Sequence, residues 1–551
     1  QCPYYVLNAL KHALNRPIDR VRVIQAPTGG GFGGKEDYPS TIALHAALLA
    51  LKMRIAGKHH PVKIIYDRGE DMAATTKRHP SRVRHRTGVD REGRLVAQEI
   101  DVLLDGGAYV TLSPVVLSRG IIHAAGPYFC PNVRIQGRAV LTNTVPFGAF
   151  RGFGAPQTQF AIERHMDVIA HRIGIDPVEL RRINLLRDGQ TTATGQIIRG
   201  GTDRVSMMDQ AVRASGLVSG RKEHAKLNAT HPYLRRGAGI ATIFHGSGFT
   251  GNGEVYLKSR LAVAGLPDGR VEVLAASTEM GQGTNTVFTQ IAAAALEYAL
   301  SDVVVAVPDT FRVPNSGPTV ASRTVMVVGK LIERACEELC AIAGAPTARG
   351  AHLKRAIIDW HLNNPGKAST APLRAEVEYT RPPGIHFDEK TYTGDAYATF
   401  GWGAYAAEVE VDLRTWGVRV IGFTAVQEIG KVVNPTLARG QVQGGVAQGI
   451  GWALMEEVKY RDGGMINNQL TNYIIPTSDD LPALRVEFVE NPYSDGGGGA
   501  KGVGELPMDG PAPAILNAVH AAVGVSAPAI PLTPERLMQL AKTQAGTMVT
   551  P

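Results

Sequence analysis

The sequence predicts an α+β fold built from two parts. Segments that alternate like strands and segments with helical spacing follow one another irregularly over the 551 residues, not in the regular order of a doubly wound sheet. The polar stretch 215–236 has no clear periodicity, so we place a domain boundary there. We therefore predict a first domain over 1–220 and a second over 235–545.

In the first part, local patterns predict six segments. We expect strands over 18–26, at 61–66 and across 82–110, and helices over about 40–53, 156–173 and 176–185. The first strand rests on the alternation in "IDRVRVIQA", and the turn "DREGR" divides the region 82–110. Pro156 favours the start of a helix, because the first helical position needs no backbone donor.

In the second part, the same reasoning predicts strands and helices in turn. We expect strands at 237–244, 253–264, 270–277, within 406–427 as a pair, and at 484–490, and helices at about 285–300, 325–343, 436–456 and 513–523. Cys336 and Cys340 lie four residues apart on one face of the 325–343 helix. That spacing allows a metal pair, but two small residues packed in a core is the interpretation we favour.

Composition excludes several classes of protein. The net charge is +8, yet no Lys/Arg block with interleaved aromatic residues occurs, which argues against nucleic-acid binding. Four cysteines are too few for a disulfide scaffold and favour a reducing compartment, so we expect a cytoplasmic protein. No apolar run of about 18 residues is present, so we expect no membrane span. The start at Gln1 does not resemble a signal peptide, and we expect further chain upstream.

The stretch "GGGFGGKE" at residues 29–36 resembles a phosphate-binding P-loop. Gly29, Gly34 and Lys35 have the required spacing. The next position needs a Ser or Thr hydroxyl for Mg²⁺, and here it is Glu36. A carboxylate would repel phosphates, so the P-loop interpretation is the weaker one. The glycines then indicate a loop whose backbone lies very close to another group.

Four more loops combine small residues with one or two polar side chains. They are "GAFRGFGAPQ" (148–157), "EMGQGTNT" (279–286), "PNSGPTVAS" (314–322) and "GGGGAKGVGELP" (496–507). Together with "GGGFGGKE" at 29–36 and "GQVQGGVAQGIGWALMEE" at 440–457, and in their order along the chain, they resemble the molybdopterin-binding subunit of the xanthine dehydrogenase/aldehyde oxidase family. The resemblance covers nearly the whole chain. It implies that family's two-part molybdenum-cofactor-binding fold, without the hammerhead-like domain that precedes it in the family.

The resemblance also implies a catalytic base and a cofactor site. The Glu that closes "KGVGE", here Glu505, would be the base for the water-derived oxygen. Gln1 would hydrogen-bond an oxo ligand of molybdenum, with the metal held mainly by the pterin dithiolene and by no direct protein ligand. The other positions that resemble cofactor contacts are Phe32, Gly33, Arg151, Gly152, Gln282, Gly283, Ala321, Gln441 and Gly502.

Substrate preference depends on a second group of residues. In the purine-hydroxylating branch, the residue corresponding to Glu36 hydrogen-bonds the substrate ring, and aldehyde-oxidising relatives differ there. Arg119, in "VLSRGIIHAAG", matches an arginine that would stabilise negative charge growing on the substrate, and so would also assist catalysis. Phe153 and Phe249 resemble a pair that sandwiches a flat heterocycle, and Phe244 competes with Phe249 for that position.

The sequence therefore predicts the catalytic subunit of a xanthine dehydrogenase-like molybdenum hydroxylase that acts on a purine. A sibling enzyme for another N-heterocycle or an aldehyde is the alternative. By resemblance, the pterin is expected in its cytosine dinucleotide form. Electrons would pass to 2Fe–2S clusters and FAD on partner chains or domains, since no Cys quartet for a cluster is present. We expect a hetero-oligomer that is often dimerised.

Overall fold

The computed structural model describes residues 1–365 and 373–547. Its first part holds eight helices and three strands within residues 1–233. In chain order they are α1 (Pro3–Ala13), α2 (Pro39–Ile55), α3 (Arg68–Ala74), β1 (Ser81–Val89), β2 (Leu95–Asp105), α4 (Ser113–His123), β3 (Asn132–Val140), α5 (Ala155–Ile173), α6 (Pro177–Asn184), α7 (Arg204–Ser215) and α8 (Arg221–Thr230). The three strands form one sheet, antiparallel between β1 and β2 and parallel between β2 and β3.

The second part begins with a long strand. Its elements are β4 (Leu234–Ser247), α9 (Gly253–Leu257), β5 (Arg260–Gly265), β6 (Val271–Leu274), α10 (Thr284–Leu296), β7 (Val303–Val305), α11 (Gly329–Ile342), α12 (Gly350–Asn363), β8 (Arg374–Glu378), β9 (Phe387–Asp388), β10 (Thr393–Gly394), β11 (Thr399–Asp412), β12 (Gly417–Glu428), α13 (Pro435–Leu454), β13 (Tyr460–Arg461), β14 (Gly464–Met465), β15 (Leu484–Phe488), α14 (Pro511–Val523) and α15 (Pro534–Thr547).

Two four-stranded sheets organise the second part. One has the order β15-β12-β11-β4, with β11 antiparallel to both neighbours and β15 parallel to β12. The other has the order β7-β6-β5-β8. Helices α10 and α11 pack on the second sheet, and Cys336 and Cys340 are fully buried in that core, as expected. The mixture of separate sheets and helices confirms the α+β prediction.

The two parts share a hydrophobic core. Met166 of α5 and Leu180 of α6 belong to the same buried cluster as Phe244 of β4 and Trp402 of β11. A buried ion pair reinforces this contact, because Arg181 of α6 bonds Glu163 of α5, whose carboxylate also accepts from the backbone of β4. Loops from both parts are thereby brought to one place.

Two predicted strands are wrong. Residues 18–26 form a 3-10 turn at Ile18–Arg20 and a single bridge between Ile24 and Asp309, and residues 61–66 belong to no helix or strand. Burial does alternate over residues 21–26 and 61–66, as the sequence pattern indicates. A strand also needs a neighbouring strand to satisfy its backbone, and neither stretch has one among the described residues.

Two further segments differ from expectation. Residues 253–257 form the short helix α9 and not the start of a strand. Glu254 there is buried and paired with Arg323, which holds the turn inward. Within the polar stretch 215–236, residues Arg221–Thr230 form α8. The domain boundary placed in that stretch stays a prediction.

Candidate active site

The predicted loops converge on a cavity of about 340 Å³. All but one of the residues predicted for the site lie in its wall: Gln1, Phe32, Gly33, Glu36, Arg119, Arg151, Phe153, Phe249, Gln282, Gly283, Ala321, Gln441, Gly502 and Glu505. Gly152 is adjacent but does not line the cavity. The volume is in the range typical of small-molecule sites.

The glycine loop at 29–36 lies against the loop at 148–154. Gly33 has a φ of +97°, and a Cβ there would lie 2.9 Å from the carbonyl carbon of Ala149. The Arg151 N–H donates to the Phe32 carbonyl at 2.8 Å. Only glycine permits this approach of two backbones. The sequence predicted that the backbone of this loop lies very close to another group. At Gly33 that group is the loop at 148–154 of the same chain.

Backbone strain concentrates around the cavity. Among the described residues, ten non-glycine residues have positive φ, and four of them line the cavity: Phe32, Phe153, Ala321 and Ser322. Each such residue costs roughly 1 kcal/mol or more, and such conformations cluster at functional sites. The surrounding loops must therefore fix this backbone firmly.

Glu505 is buried against three polar side chains. Its Oε2 accepts from Ser322 Oγ at 3.0 Å, and lies 3.4 Å from His245 Nε2 and 3.5 Å from Arg119 Nη1. Burial alone would raise the pKa of this carboxyl, but Arg119 and Ser322 outweigh it and hold the pKa well below its ordinary value. Glu505 is thus ionised at neutral pH.

Ser322 also fixes the backbone of this loop. Its hydroxyl accepts from the Glu505 N–H at 3.0 Å, and a Cβ on Gly502 would lie 2.1 Å from the Ser322 carbonyl oxygen. On the other side, Lys501 forms a buried ion pair of 2.7 Å with Glu428. Contacts with Ser322 on one side and Glu428 on the other therefore fix the "KGVGE" segment and restrict the position of Glu505.

Arg119 on α4 is 2 % exposed and makes several contacts at once. Nη1 lies 2.7 Å from His245 Nε2 and 3.2 Å from the Gly246 carbonyl oxygen, and Nη2 donates to the Gly248 carbonyl at 2.7 Å. Burial would lower the pKa of this guanidinium, but Tyr397 and the carboxyl groups around it outweigh that effect and raise it. Arg119 is thus a fixed cation at the cavity wall.

Glu36 lies in the same cavity wall, but its pKa is shifted in the direction opposite to that of Glu505. It is 5 % exposed, and burial, with Asp37 and Glu505 nearby, raises its pKa to about 8 despite the opposing effect of Arg119. A carboxyl group with that pKa keeps its proton at neutral pH and can donate a hydrogen bond. The cavity therefore contains one ionised and one protonated carboxyl group, together with a buried guanidinium.

Sequence models of the molybdopterin cofactor-binding domain match residues 1–185 and 210–482. The chain is 34% identical over 546 residues to a probable xanthine dehydrogenase subunit of Bacillus subtilis, and the match covers 95% of this chain and 69% of that protein. This chain belongs to the xanthine dehydrogenase/aldehyde oxidase family of molybdopterin-binding large subunits.

Other family members are similarly related. The xanthine dehydrogenase molybdenum-binding subunit of Escherichia coli O157:H7 is 32% identical, over 98% of this chain and 72% of its own length. The aldehyde oxidoreductase of Megalodesulfovibrio gigas is also 32% identical, over 95% of this chain. The chain spans only 55% of that second relative.

Solved structures agree with the family fold. Quinoline 2-oxidoreductase from Pseudomonas putida 86 superimposes with a TM-score of 0.87 at 28% identity, covering 98% of this chain and 71% of the other. The aldehyde oxidoreductase structure from Desulfovibrio gigas gives a TM-score of 0.85 at 30% identity, over 97% of this chain and 56% of the other. The two-part cofactor-binding fold implied by the motifs is therefore confirmed.

The residues of this family member fit its molybdopterin cofactor at Gln1. The Gln1 side chain donates from Nε2 to the Thr319 carbonyl at 3.0 Å, while its Oε1 is buried and has no partner among the described residues. A Cβ on Gly31 would lie 2.8 Å from that oxygen, so Gln1 is held beside the glycine loop. A buried amide with spare hydrogen-bonding capacity at a cavity wall is suited to a polar ligand.

Two other predicted cofactor residues are held by the protein itself. Gln282 accepts from the Met280 N–H at 2.7 Å and donates to Thr278 and Thr284, so its amide is occupied. Arg151 donates to the carbonyls of Gly504 at 2.5 Å and Gln441 at 2.9 Å. Both side chains link loops that line the cavity, and their contact with a cofactor stays a prediction.

The aromatic positions are resolved by burial. Phe153 and Phe249 line the cavity. Phe244 is 1 % exposed and packs in the core with Phe400 and Trp402. Of the two competing phenylalanines, Phe249 is thus the one in contact with the cavity.

Sequence reasoning missed three polar residues at or behind the cavity wall. Ser322 and His245 contact Glu505, and His245 Nδ1 lies 2.7 Å from Asp509 Oδ2. Their signals were present but weak. His245 is a single histidine in a strand pattern, and Asp509 follows Glu505 by four residues in "KGVGELPMD".

Within 1–365 and 373–547, no helix is long and apolar enough to cross a membrane. Over the same ranges, no group of three or more His, Cys, Asp or Glu side chains is arranged to hold a metal ion.

Proposed function

We propose that this chain is the catalytic subunit of a molybdenum hydroxylase that acts on a purine-like N-heterocycle such as xanthine or hypoxanthine. The observation that carries the proposal is the pairing of carboxyl groups in one cavity. Glu505 is held ionised, while burial raises the pKa of Glu36 to about 8. In such a site the ionised carboxylate can serve as the base for the water-derived oxygen, and the protonated carboxyl group can donate to an acceptor on a purine-like ring.

The cofactor would lie against the glycine loops and the Gln1 side chain. When bound, the molybdenum cofactor supplies the redox chemistry, taking two electrons from the substrate as oxygen from water enters the ring. Gln1, Phe32, Gly33, Gln441 and Gly502 would hold it by backbone and side-chain contacts. We propose the cytosine dinucleotide form of the pterin, and attachment of the metal through the pterin dithiolene.

Glu505 is assigned the role of general base. Its described side-chain contacts all fall on Oε2, so Oε1 is the atom we assign to the reacting proton. The base must be ionised before each turnover, and the contacts with Arg119 and Ser322 favour that state. Their clamping of Oε2 also fixes the direction from which Oε1 approaches the proton.

Glu36 and Arg119 are assigned to the substrate. A protonated Glu36 donates a hydrogen bond to a ring nitrogen or carbonyl oxygen, and the charge of Arg119 stabilises the negative charge that develops on the ring. Phe153 and Phe249 would hold the flat heterocycle between their rings. These four side chains together orient a planar, electron-poor substrate toward the base.

Electrons would leave through partner chains or domains that carry 2Fe–2S clusters and FAD. The support lies in the cysteines. Cys336 and Cys340 are buried in a hydrophobic core, and all four cysteines are free. A cluster bound by four thiolates therefore has no place among the described residues. This makes a hetero-oligomer the proposed working form.

A second candidate is a sibling hydroxylase for another N-heterocycle or an aldehyde. Its support is the similarity to an aldehyde oxidoreductase at 32% identity and to a quinoline 2-oxidoreductase with a TM-score of 0.87. Glu36 argues against the aldehyde alternative, because a simple aldehyde such as benzaldehyde has no ring nitrogen or ring carbonyl to accept a hydrogen bond there. Another N-heterocycle could accept that bond, so the substrate probes must separate it from a purine.

The proposal is tested on the purified, assembled holoenzyme. Elemental and nucleotide analysis should find molybdenum and a pterin cytosine dinucleotide. Reduction of the complex is then followed with xanthine, hypoxanthine, quinoline and benzaldehyde as separate probes. We expect the purines to reduce it fastest. Faster reduction by quinoline or benzaldehyde would support the sibling assignment, and an enzyme that binds no molybdenum under cofactor-replete expression would contradict both.

A further inference from the structure

A chain of buried polar groups continues behind the cavity wall. His245 on β4 is 2 % exposed and Asp509 is fully buried. His245 Nδ1 lies 2.7 Å from Asp509 Oδ2, and His245 Nε2 lies 2.7 Å from Arg119 Nη1. Neither His245 nor Asp509 lines the cavity, so neither touches a ligand there.

The contact between His245 and Arg119 fixes the tautomer of the imidazole. A guanidinium carries only donors, so His245 Nε2 must be the acceptor at 2.7 Å. The ring proton then lies on Nδ1 and is donated to Asp509 Oδ2. His245 in this arrangement is neutral, with its orientation determined from both sides.

With this tautomer, His245 cannot donate a hydrogen bond to Glu505. Nε2 and Glu505 Oε2 are both acceptors and lie 3.4 Å apart, so they do not bond each other directly. Arg119 Nη1 lies beside both, 2.7 Å from Nε2 and 3.5 Å from Oε2. The Arg119 guanidinium thus lies between the His245 imidazole and the Glu505 carboxylate. The hydrogen bond to the imidazole fixes its position there.

Asp509 is itself firmly held. Gln159 Nε2 donates to Asp509 Oδ2 at 3.0 Å, and Gln159 also bonds the backbone of Phe244 in both directions. Asp509 Oδ1 is buried and has no partner among the described residues. A buried carboxylate with an unsatisfied oxygen is costly, which is expected where a specific orientation is needed.

We propose that His245, oriented by Asp509, is a positioning residue that holds the Arg119 guanidinium against Glu505 from outside the cavity. The inference rests on the proposed role of Glu505 as the base. It assigns His245 no contact with substrate or cofactor. Its effect on turnover passes through Arg119 and Glu505.

Loss of the imidazole should change the ionisation of Glu505. The titratable groups around Glu505 on the elements packed against it are Arg119, His245, Asp509, Glu36, Arg78, Arg151, His123 and Tyr397. Among the side chains around Glu505, Arg119 lowers the pKa of this carboxyl most strongly. A less firmly held guanidinium therefore raises the pKa of the base, and the acid limb of the rate profile moves to higher pH.

The test compares His245→Ala and His245→Gln in the assembled holoenzyme, with xanthine as the probe. For the Ala variant we expect about a 10–100-fold fall in kcat, a much smaller change in KM, and an acid limb at higher pH. The Gln amide can accept from Arg119 and donate to Asp509, so the Gln variant should recover most of the loss. A crystal structure of the Ala variant should show Arg119 Nη1 farther than 3.5 Å from Glu505 Oε2.

A matched control is available. His224 also pairs with a carboxylate, with Nε2 at 2.8 Å from Glu408 Oε1, but it lies outside the cavity wall. His224→Ala should leave kcat and the pH profile unchanged. His245→Asn keeps a polar side chain that is too short to reach both Asp509 and Arg119. It should move the acid limb in the same direction as His245→Ala, which decides the matter if the Ala variant does not fold.

Two results would overturn the inference. One is an unchanged pH profile and Arg119–Glu505 distance in folded, molybdenum-loaded His245→Ala. The other is an equal loss in the Gln and Ala variants without a pH shift, which is the mark of a purely structural residue. If Glu505→Gln is inactive while His245→Ala is normal, only this inference fails. If Glu505→Gln keeps full turnover, the proposed base fails as well.

Discussion

Glu36 and Glu505 line the same cavity with their carboxyl groups in opposite protonation states. Burial raises the pKa of Glu36 to about 8, with Asp37 and Glu505 adding to the shift. Glu505 is equally enclosed, but Arg119 and Ser322 hold its pKa well below the ordinary value. Two chemically identical side chains therefore have different roles, a donor and a base, because their neighbours differ.

Removal of Glu36 should separate purine turnover from aldehyde turnover. For Glu36→Ala we expect kcat/KM for xanthine to fall by about 100-fold or more, since a hydrogen bond to the ring is lost in a buried site. For benzaldehyde we expect a change of only a few-fold. Steady-state kinetics with both probes measures the split, and equal losses would argue against the purine assignment.

The ionisation of Glu36 should be visible in the pH dependence of substrate binding. With a pKa of about 8, the carboxyl group keeps its proton at neutral pH and loses it as the pH rises past 8. Because the ionised form cannot donate, KM for xanthine should rise above that pH. In Glu36→Gln the amide donates at every pH, so the rise should disappear. The same alkaline rise in both proteins would exclude Glu36 as its source.

The crowding at Gly33 should control retention of the cofactor. Ala at this φ of +97° costs about 1–2 kcal/mol in strain, and its Cβ would also lie 2.9 Å from the Ala149 carbonyl carbon. Gly57 is the control, because it has a φ of +73° and open space around it. We expect Gly33→Ala to lose molybdenum and Gly57→Ala to keep it, as measured by metal content per chain. Full loading of the Gly33 variant would show that the two loops can move apart without harm.

The buried ion pair between Arg181 and Glu163, which also bonds β4, should contribute strongly to the stability of the fold. Both side chains are fully buried, with Arg181 Nη2 at 2.8 Å from Glu163 Oε2. Arg181→Met should lower the free energy of unfolding by about 3–5 kcal/mol, because it leaves Glu163 buried and unpaired. Arg138, which pairs with Asp101 and is 68% exposed, should cost less than about 1 kcal/mol when changed to Met. Chemical denaturation measures both, and similar losses would contradict the account.

Much of the fold could be predicted from periodicity and caps. The helix expected at 156–173 is Ala155–Ile173, and the one expected at 436–456 is Pro435–Leu454. Each has a proline at its first or second helical position. The strand expected at 18–26 was wrong because its alternation is real but no described strand lies beside it. A sequence pattern indicates which side chains are buried, but it does not show whether another strand lies alongside.

The site shows the same division. The glycine loops were identifiable from their motifs, and they do line one cavity. The protonation states were not predictable, since Glu36 and Glu505 look alike in a sequence and differ only through residues such as Arg119 and Ser322. His245 was missed for a related reason. It lies 260 positions from Glu505 in the chain, and only the fold brings the two within 3.4 Å.

The most direct test of the central claim is turnover by Glu505→Gln in molybdenum-loaded holoenzyme. The substitution keeps the size of the side chain and removes its ability to take a proton. We predict that xanthine turnover falls by at least about 10²–10⁴-fold, the range of general-base contributions, while molybdenum content stays at the level of the unaltered enzyme. Turnover within a few-fold of the unaltered enzyme, at full molybdenum content, would remove Glu505 as the base and contradict the account.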